Sequence, residues 1–149
     1  MKSTVLATFA LLTAAGCYAP LAKTTPSVGD GVRVSAAEGA CHAPRVATQE
    51  LASEDIGEVY ARVKIENQSD RVLTFDPRRV WVTDPALQPW TWQDSYVVEP
   101  RSDRTLTMRL SSHQLRCDRE LNVSFANSLY RDGQAVAVTP LRIVPHDAT

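Results

Sequence analysis

Apolar and polar side chains alternate along much of the chain, most clearly between residues 58 and 66. Successive side chains of a β-strand point to opposite faces, so a period of two predicts a strand with one face in the core and the other in water. The same alternation returns at residues 105–110 and 121–125. It places the following side chains in the core: Val59, Ala61, Val63, Ile65, Leu106, Met108, Leu110, Leu121, Val123 and Phe125.

Turn-forming residues separate these segments at short intervals. Clusters of Asn, Asp, Gly, Pro and Ser lie at 67–70, 76–77, 84–85, 99–103 and 131–133, as is typical between antiparallel strands. Further strands are predicted near 32–35, 72–75, 80–83, 91–98 and 136–144, with Pro140 marking a bulge or an edge in the last, and a short helix is predicted at 48–55. Seven or eight strands in total predict an all-β fold, an antiparallel β-sandwich.

Several of these segments carry a family resemblance. Residues 63–70 end a long strand in an Asn-containing turn, residues 73–77 and the strand at Trp81–Asp84 follow, and residues 98–102 form a Pro-led turn into residues 106–110. Across residues 58–111 they resemble the immunoglobulin-like domains of many small bacterial lipoproteins. The resemblance implies an immunoglobulin-like β-sandwich that serves in adhesion, scaffolding or partner binding, and it identifies no catalytic residue.

The first residues have the organisation of a bacterial export signal. Lys2 is basic, residues 5–12 are apolar apart from Thr8, and three small residues at 14–16 precede Cys17. This segment resembles a lipoprotein lipobox, with Ala14 at the position where Leu is commonest. The resemblance implies an acylated Cys17 that holds the protein on the outer membrane, facing the periplasm or, as the alternative, the cell surface. We therefore expect a signal peptide at 1–16, a lipidated N-terminus and flexible tether at 17–30, and one domain at 31–149.

Composition and charge exclude several other classes of protein. The chain has 16 Lys and Arg against 17 Asp and Glu, a net charge of −1, so no nucleic-acid partner is expected. No apolar run approaches the roughly 20 residues of a membrane-spanning helix. The sequence has no Gly-rich phosphate loop, no Gly-x-Ser-x-Gly elbow and no His-Glu-x-x-His motif. We therefore expect no enzymatic activity, no catalytic residue and no cofactor.

Cys41 and Cys117 remain once Cys17 is assigned to the lipid. An exported protein matures in an oxidising compartment, so this even pair predicts a disulfide. The alternative is a metal-binding or metal-delivery lipoprotein, because Cys41, His42, His113 and Cys117 together supply the thiolates and imidazoles of a zinc or cuprous site. Adjacent residues of an extended chain point to opposite sides, which weakens that alternative.

Trp90 and Trp92 are candidates for ligand binding, because residues two apart project from the same face of a strand. If exposed, they would form a stacking platform for an envelope glycan or a peptide. If buried, they would close one end of the core, with Trp81 as a further packing residue. A candidate anion-binding patch combines four loop arginines: Arg78, Arg79, Arg101 and Arg104.

The sequence thus predicts a membrane-anchored bacterial lipoprotein with a non-catalytic binding or structural role in the cell envelope. Its expected partners are the membrane, through the N-terminal lipid, and an envelope protein or glycan.

Overall fold

The computed structural model describes residues 19–20, 23–42, 57–83, 86–90, 93–112 and 114–144. This part of the chain is built of antiparallel strands joined by turns and one short 3-10 helix, Pro77–Arg79, so the predicted all-β sandwich is confirmed. No helix in these ranges is both long and apolar enough to cross a membrane. The helix predicted at 48–55 and the signal peptide at 1–16 lie outside the described residues. The immunoglobulin-like assignment stays a prediction.

The strands in the described ranges are β1 (Ala19–Pro20), β2 (Lys23–Thr25), β3 (Ser27–Gly29), β4 (Val32–His42), β5 (Gly57–Asn67), β6 (Leu73–Phe75), β7 (Trp81–Thr83), β8 (Ala86–Leu87), β9 (Tyr96–Val98), β10 (Ser102–Ser112), β11 (Leu121–Ser124), β12 (Leu129–Arg131), β13 (Gln134–Ala135) and β14 (Leu141–Val144).

The first sheet contains the three long strands. Strand β5 lies between β4 and β10, and both β1 and β3 pair with the other edge of β4. In this register Val63 lies between Ala36 of β4 and Leu106 of β10. The pairing of β4 with β5 shifts between Ala37 and Ala40, beside Glu38, whose φ is 50°. Such a shift is the mark of a β-bulge, which bends one strand against its neighbour.

The remaining strands form two further sheets, β13-β12-β6-β9 and β2-β14-β11-β7-β8. Four stretches of chain each contribute one strand to each of these two sheets: residues 73–83, 86–98, 121–131 and 134–144.

The predicted strand at 136–144 is wrong in part, because residues 136–140, including Pro140, lie between β13 and β14. Of the predicted strand at 91–98, β9 contains only Tyr96–Val98. Pro140 has no backbone N–H to donate, so it suits the segment between β13 and β14 better than the interior of a strand.

The core lies on the faces that the alternation predicts. Val59, Ala61, Val63 and Ile65 are fully buried, whereas the intervening side chains of β5 are exposed or half-buried. Leu106 is only half-buried, packed at the margin of the core. The other predicted core residues are buried: Met108, Leu110, Leu121, Val123 and Phe125.

The flexible tether predicted up to residue 30 is wrong for the part of it that the structure describes. Strand β2 pairs with β14, and β3 pairs with the beginning of β4. Ser27 is fully buried, and a Cβ at Gly29 would clash with the backbone carbonyl oxygen of Ala137. The Pro, Ser and Thr content of this segment predicted a flexible chain. The edge strands β4 and β14, which belong to two different sheets, instead supply hydrogen-bond partners for its backbone.

Candidate functional site

Cys41 and Cys117 form a disulfide, as the pairing of the two cysteines predicts. Cys41 lies near the end of β4, Cys117 lies in the loop between β10 and β11, and their Cα atoms are 5.8 Å apart. Both side chains are buried. The bond ties the first sheet to the loop that leads into β11. We call this end of the sandwich, comprising Cys41, the beginning of β5 and residues 114–120, the disulfide end.

The disulfide contradicts the predicted alternative of a four-ligand metal site. A metal is bound by thiolate, and both sulfurs of the Cys41–Cys117 pair are used in the S–S bond. His42 is half-buried at the end of β4, and His113 lies outside the described residues. Within the part of the chain that the structure covers, no three His, Cys, Asp or Glu side chains are grouped to hold a metal ion.

Trp90 lies in the core, so its predicted role in ligand binding is wrong. The side chain is 2% exposed, and its ring packs edge-on against Phe75 at 5.7 Å and beside Phe125 at 6.4 Å. Its Nε1 donates a hydrogen bond of 2.9 Å to the carbonyl oxygen of Thr107 in β10. That bond satisfies the only polar atom of the indole. Trp92 lies outside the described residues.

Trp81, predicted to pack in the core, is instead 50% exposed on the outer face of β7. Val80 and Val82 on either side of it are buried. The alternation of these three residues therefore assigns the tryptophan to solvent. This signal was present in the sequence, but the general tendency of tryptophan to be buried obscured it.

Arginines of the predicted anion patch contact their own neighbours. Arg78 donates a hydrogen bond of 2.9 Å to the carboxylate of Asp76, and this bond is the main cause that lowers the pKa of that carboxyl. Arg79 donates to the Tyr130 hydroxyl at 2.6 Å, and its guanidinium lies 5.6 Å from that ring centroid. Arg104 lies over an aromatic ring of β9. These separate contacts give no support to a common patch.

Four turns meet at the opposite end of the sandwich, around Asn67. They are residues 30–31, 68–72, 99–101 and 132–133, and they are held together by contacts between different turns and by one contact from Arg131 at the end of β12. The contacts are Gln68 N to Gly31 O at 2.8 Å, Arg101 N to Ser69 O at 3.0 Å, Arg131 Nη1 to Asp30 O at 2.9 Å and Arg71 Nη1 to Asp132 Oδ2 at 2.5 Å. We call this region the Asn67 end.

Asn67, the last residue of β5, is 1% exposed at the centre of this region. Its Nδ2 group faces three backbone carbonyl oxygens, those of Arg71, Val98 and Glu99, at 2.7, 3.1 and 3.3 Å. Its Oδ1 accepts hydrogen bonds from the Ser69 hydroxyl at 2.8 Å and the Ser69 backbone N–H at 3.2 Å. One amide side chain thus fixes the turn that follows β5 to the turn that precedes β10.

Backbone conformation also defines the Asn67 end. Both residues of the Asp30-Gly31 turn have positive φ, at 47° and 71°, and so do both residues of Asp132-Gly133, at 53° and 76°. Two-residue hairpins of type I′ require this, and Asp-Gly is a favoured sequence for them. Arg101 also has a positive φ of 56°, which is uncommon for a residue with a Cβ. Specific turn geometry, and not chain flexibility, therefore sets the shape of this surface.

An open pocket of about 230 Å³ lies beside these turns. Its walls carry carboxylates, a guanidinium, a hydroxyl and side-chain amides. Such a surface can exchange hydrogen bonds and form ion pairs with a polar partner, and none of its lining side chains is aromatic. The residues that line the pocket are Glu66, Asn67, Gln68, Arg101, Ser102 and Asp103.

The composition of residues 67–70 predicts a turn there but not the buried amide of Asn67. The signal was the phase of the β5 alternation, which assigns position 67, like positions 63 and 65, to the inward face. A polar side chain at an inward position needs internal hydrogen-bond partners. The sequence could not identify those partners, because they come from turns distant in the chain.

Replacing Asn67 by Asp is expected to lower the free energy of unfolding by about 2 to 3 kcal/mol at neutral pH. Asp has nearly the same size as Asn, but a carboxylate oxygen takes the place of the Nδ2 donor. The three carbonyl oxygens that face Nδ2 then have no donor from this side chain. Urea unfolding of the variant measures the loss. The matched control is Gln68→Glu, an exposed amide-to-acid change expected to stay within about 0.5 kcal/mol. An equal loss in both variants would contradict a structural role for the Asn67 amide.

Comparison of the chain with protein-family models gives no match, and no curated protein matches it either.

Proposed function

We propose that this protein is an outer-membrane lipoprotein, anchored through Cys17, whose β-sandwich has a non-catalytic binding or structural role in the cell envelope. The observation that best supports this is the Cys41–Cys117 disulfide. Disulfides persist in oxidising compartments such as the bacterial periplasm. The pair accounts for both cysteines of the sandwich. Cys17 is therefore the remaining thiol, at the position where the export signal places the acylated residue.

The Asn67 end is the surface that we propose for an envelope partner. Hydrogen bonds between its turns hold it in one arrangement, and a preorganised surface loses little conformational freedom on binding. The adjoining pocket presents both signs of charge, together with Gln68 and Ser102. This chemistry suits a polar partner, either a protein loop or a glycan. Burial of Trp90 argues against the alternative in which a tryptophan pair stacks on a ligand.

The experiment that tests the proposal replaces Cys17 by Ser. Removing the acylated thiol should move the protein from the membrane fraction to the soluble fraction and abolish labelling by a fatty-acid probe, because acyl chains supply the membrane affinity. The matched control is Tyr18→Ser, which changes the neighbouring residue and keeps the thiol. It should stay labelled and in the membrane fraction. Labelling that persists in Cys17→Ser would refute the lipid anchor.

A further inference from the structure

We infer that the disulfide end of the sandwich rests on the lipid surface of the membrane and that the Asn67 end points away from it. This inference rests on the proposed anchor at Cys17, and it adds an orientation that the anchor alone does not imply. A flexible tether would let the domain present any of its faces to the bilayer. The pairing of the N-terminal strands removes that freedom.

Strand β1 brings the anchor close to the disulfide. Ala19 pairs with Cys41, and Pro20 pairs with Ala40, at the end of β4. Only two residue steps separate Cys17 from Ala19, and two extended residues span at most about 7 Å. An acylated Cys17 in the headgroup region therefore holds the disulfide end beside the lipid.

Strand β2 alone would not keep the anchor at the disulfide end if β1 opened. Lys23 pairs with Val144, and this contact is followed by two more pairs between β2 and β14. The six residue steps from Cys17 to Lys23 span at most about 22 Å. Strand β4, with 11 residues, covers about 36 Å at 3.3 Å per residue. Thr24 of β2 donates a hydrogen bond to the carbonyl oxygen of Ala36, the fifth residue of β4, so the separation of the anchor from the Asn67 end depends on the pairing of β1 with β4.

Covalent attachment, and not surface charge, determines this orientation. Near the disulfide end Arg116 pairs with Asp118 at 2.6 Å, and Arg142 pairs with Glu120 at 3.8 Å. Paired charges of opposite sign attract an anionic lipid surface only weakly, and salt screens that attraction. We therefore expect the orientation to be the same at low and high ionic strength.

Photocrosslinking of the full-length lipidated protein in phosphatidylethanolamine and phosphatidylglycerol vesicles tests the orientation. A photoreactive amino acid replaces Arg119 at the disulfide end in one variant and Asp70 at the Asn67 end in the other; both positions are exposed. We expect lipid adducts at position 119 and none at position 70, both in low and in high salt. A flexible Gly-Ser linker inserted between Tyr18 and Ala19 should reduce the adducts at position 119, because it restores free reorientation.

The outcomes separate the orientation from the anchor. Equal adduct yields at positions 119 and 70, in protein that retains its fatty-acid label, would overturn the orientation and leave the lipid anchor intact. A higher yield at position 70 would show that the Asn67 end faces the bilayer. Protein that carries no fatty-acid label would instead refute the proposed function, and the orientation with it.

Discussion

Replacing Val63 by Asp is expected to lower the free energy of unfolding by about 4 kcal/mol. Val63 is fully buried at the centre of the first sheet, between Ala36 and Leu106 of the neighbouring strands. A carboxylate at this position has apolar neighbours on the core side and loses its hydration. Since small domains are stable by only about 5 to 15 kcal/mol, the change removes a large part of the total.

Urea unfolding of full-length protein in the unlipidated Cys17→Ser background measures this loss as a shift of the midpoint. The matched control is Thr105→Asp, which places the same carboxylate on the exposed face of β10, opposite Lys64. Surface changes of this kind stay within about 0.5 kcal/mol. A greater loss in Thr105→Asp than in Val63→Asp would mean that the paired strands β5 and β10 turn their other faces to the core.

Removing the disulfide with the double variant Cys41→Ala and Cys117→Ala is also expected to cost about 4 kcal/mol. The bond joins residues 76 apart in the sequence, and cross-linking a loop of that length restricts the unfolded chain. Both cysteines are buried, so the truncated side chains also lose packing contacts. The measurement compares the free energy of unfolding of the double variant with that of the oxidised protein.

Reductant provides the internal control for this second prediction. Wild-type protein treated with reductant should unfold at nearly the urea concentration of the double variant, and the double variant should not respond to reductant. Mass spectrometry of protein taken from the periplasm without reductant should show the Cys41 and Cys117 peptides linked. Two free thiols that zinc protects from alkylation would contradict the disulfide and restore the metal-binding alternative.

Local patterns predicted β5 and most of β10, because an alternation depends on neighbouring residues alone, but they predicted only residues 32–35 of β4. The alternation of β5 determines which side chains face inward, and Val59 and Val63 are buried accordingly. The Asp-Gly pair at 132–133 predicted a turn, and its positive φ values are those of a tight hairpin. The pairing of Cys41 with Cys117 followed from the parity of the cysteines and the compartment that the signal implies.

The N-terminal segment shows where such patterns fail. Its Pro, Ser and Thr residues predicted a tether, yet Lys23–Thr25 and Ser27–Gly29 form strands on two different sheets. Strand propensity did not determine this pairing. The open edges of β4 and β14 offered donors and acceptors, and those edges exist only after the sandwich has assembled.

The sequence by itself determined the all-β class, the inward faces of β5 and β10 and the partner of each sandwich cysteine, because periodicity and parity are properties of the chain. Only the tertiary structure decided that Trp90 is buried, and that the Asn67 amide faces carbonyl oxygens 31 and 32 residues away in the chain. These outcomes depend on which distant segments supply a ring to pack against or a carbonyl to accept a hydrogen bond. Those partners become neighbours only through long-range strand pairing, which no local pattern records.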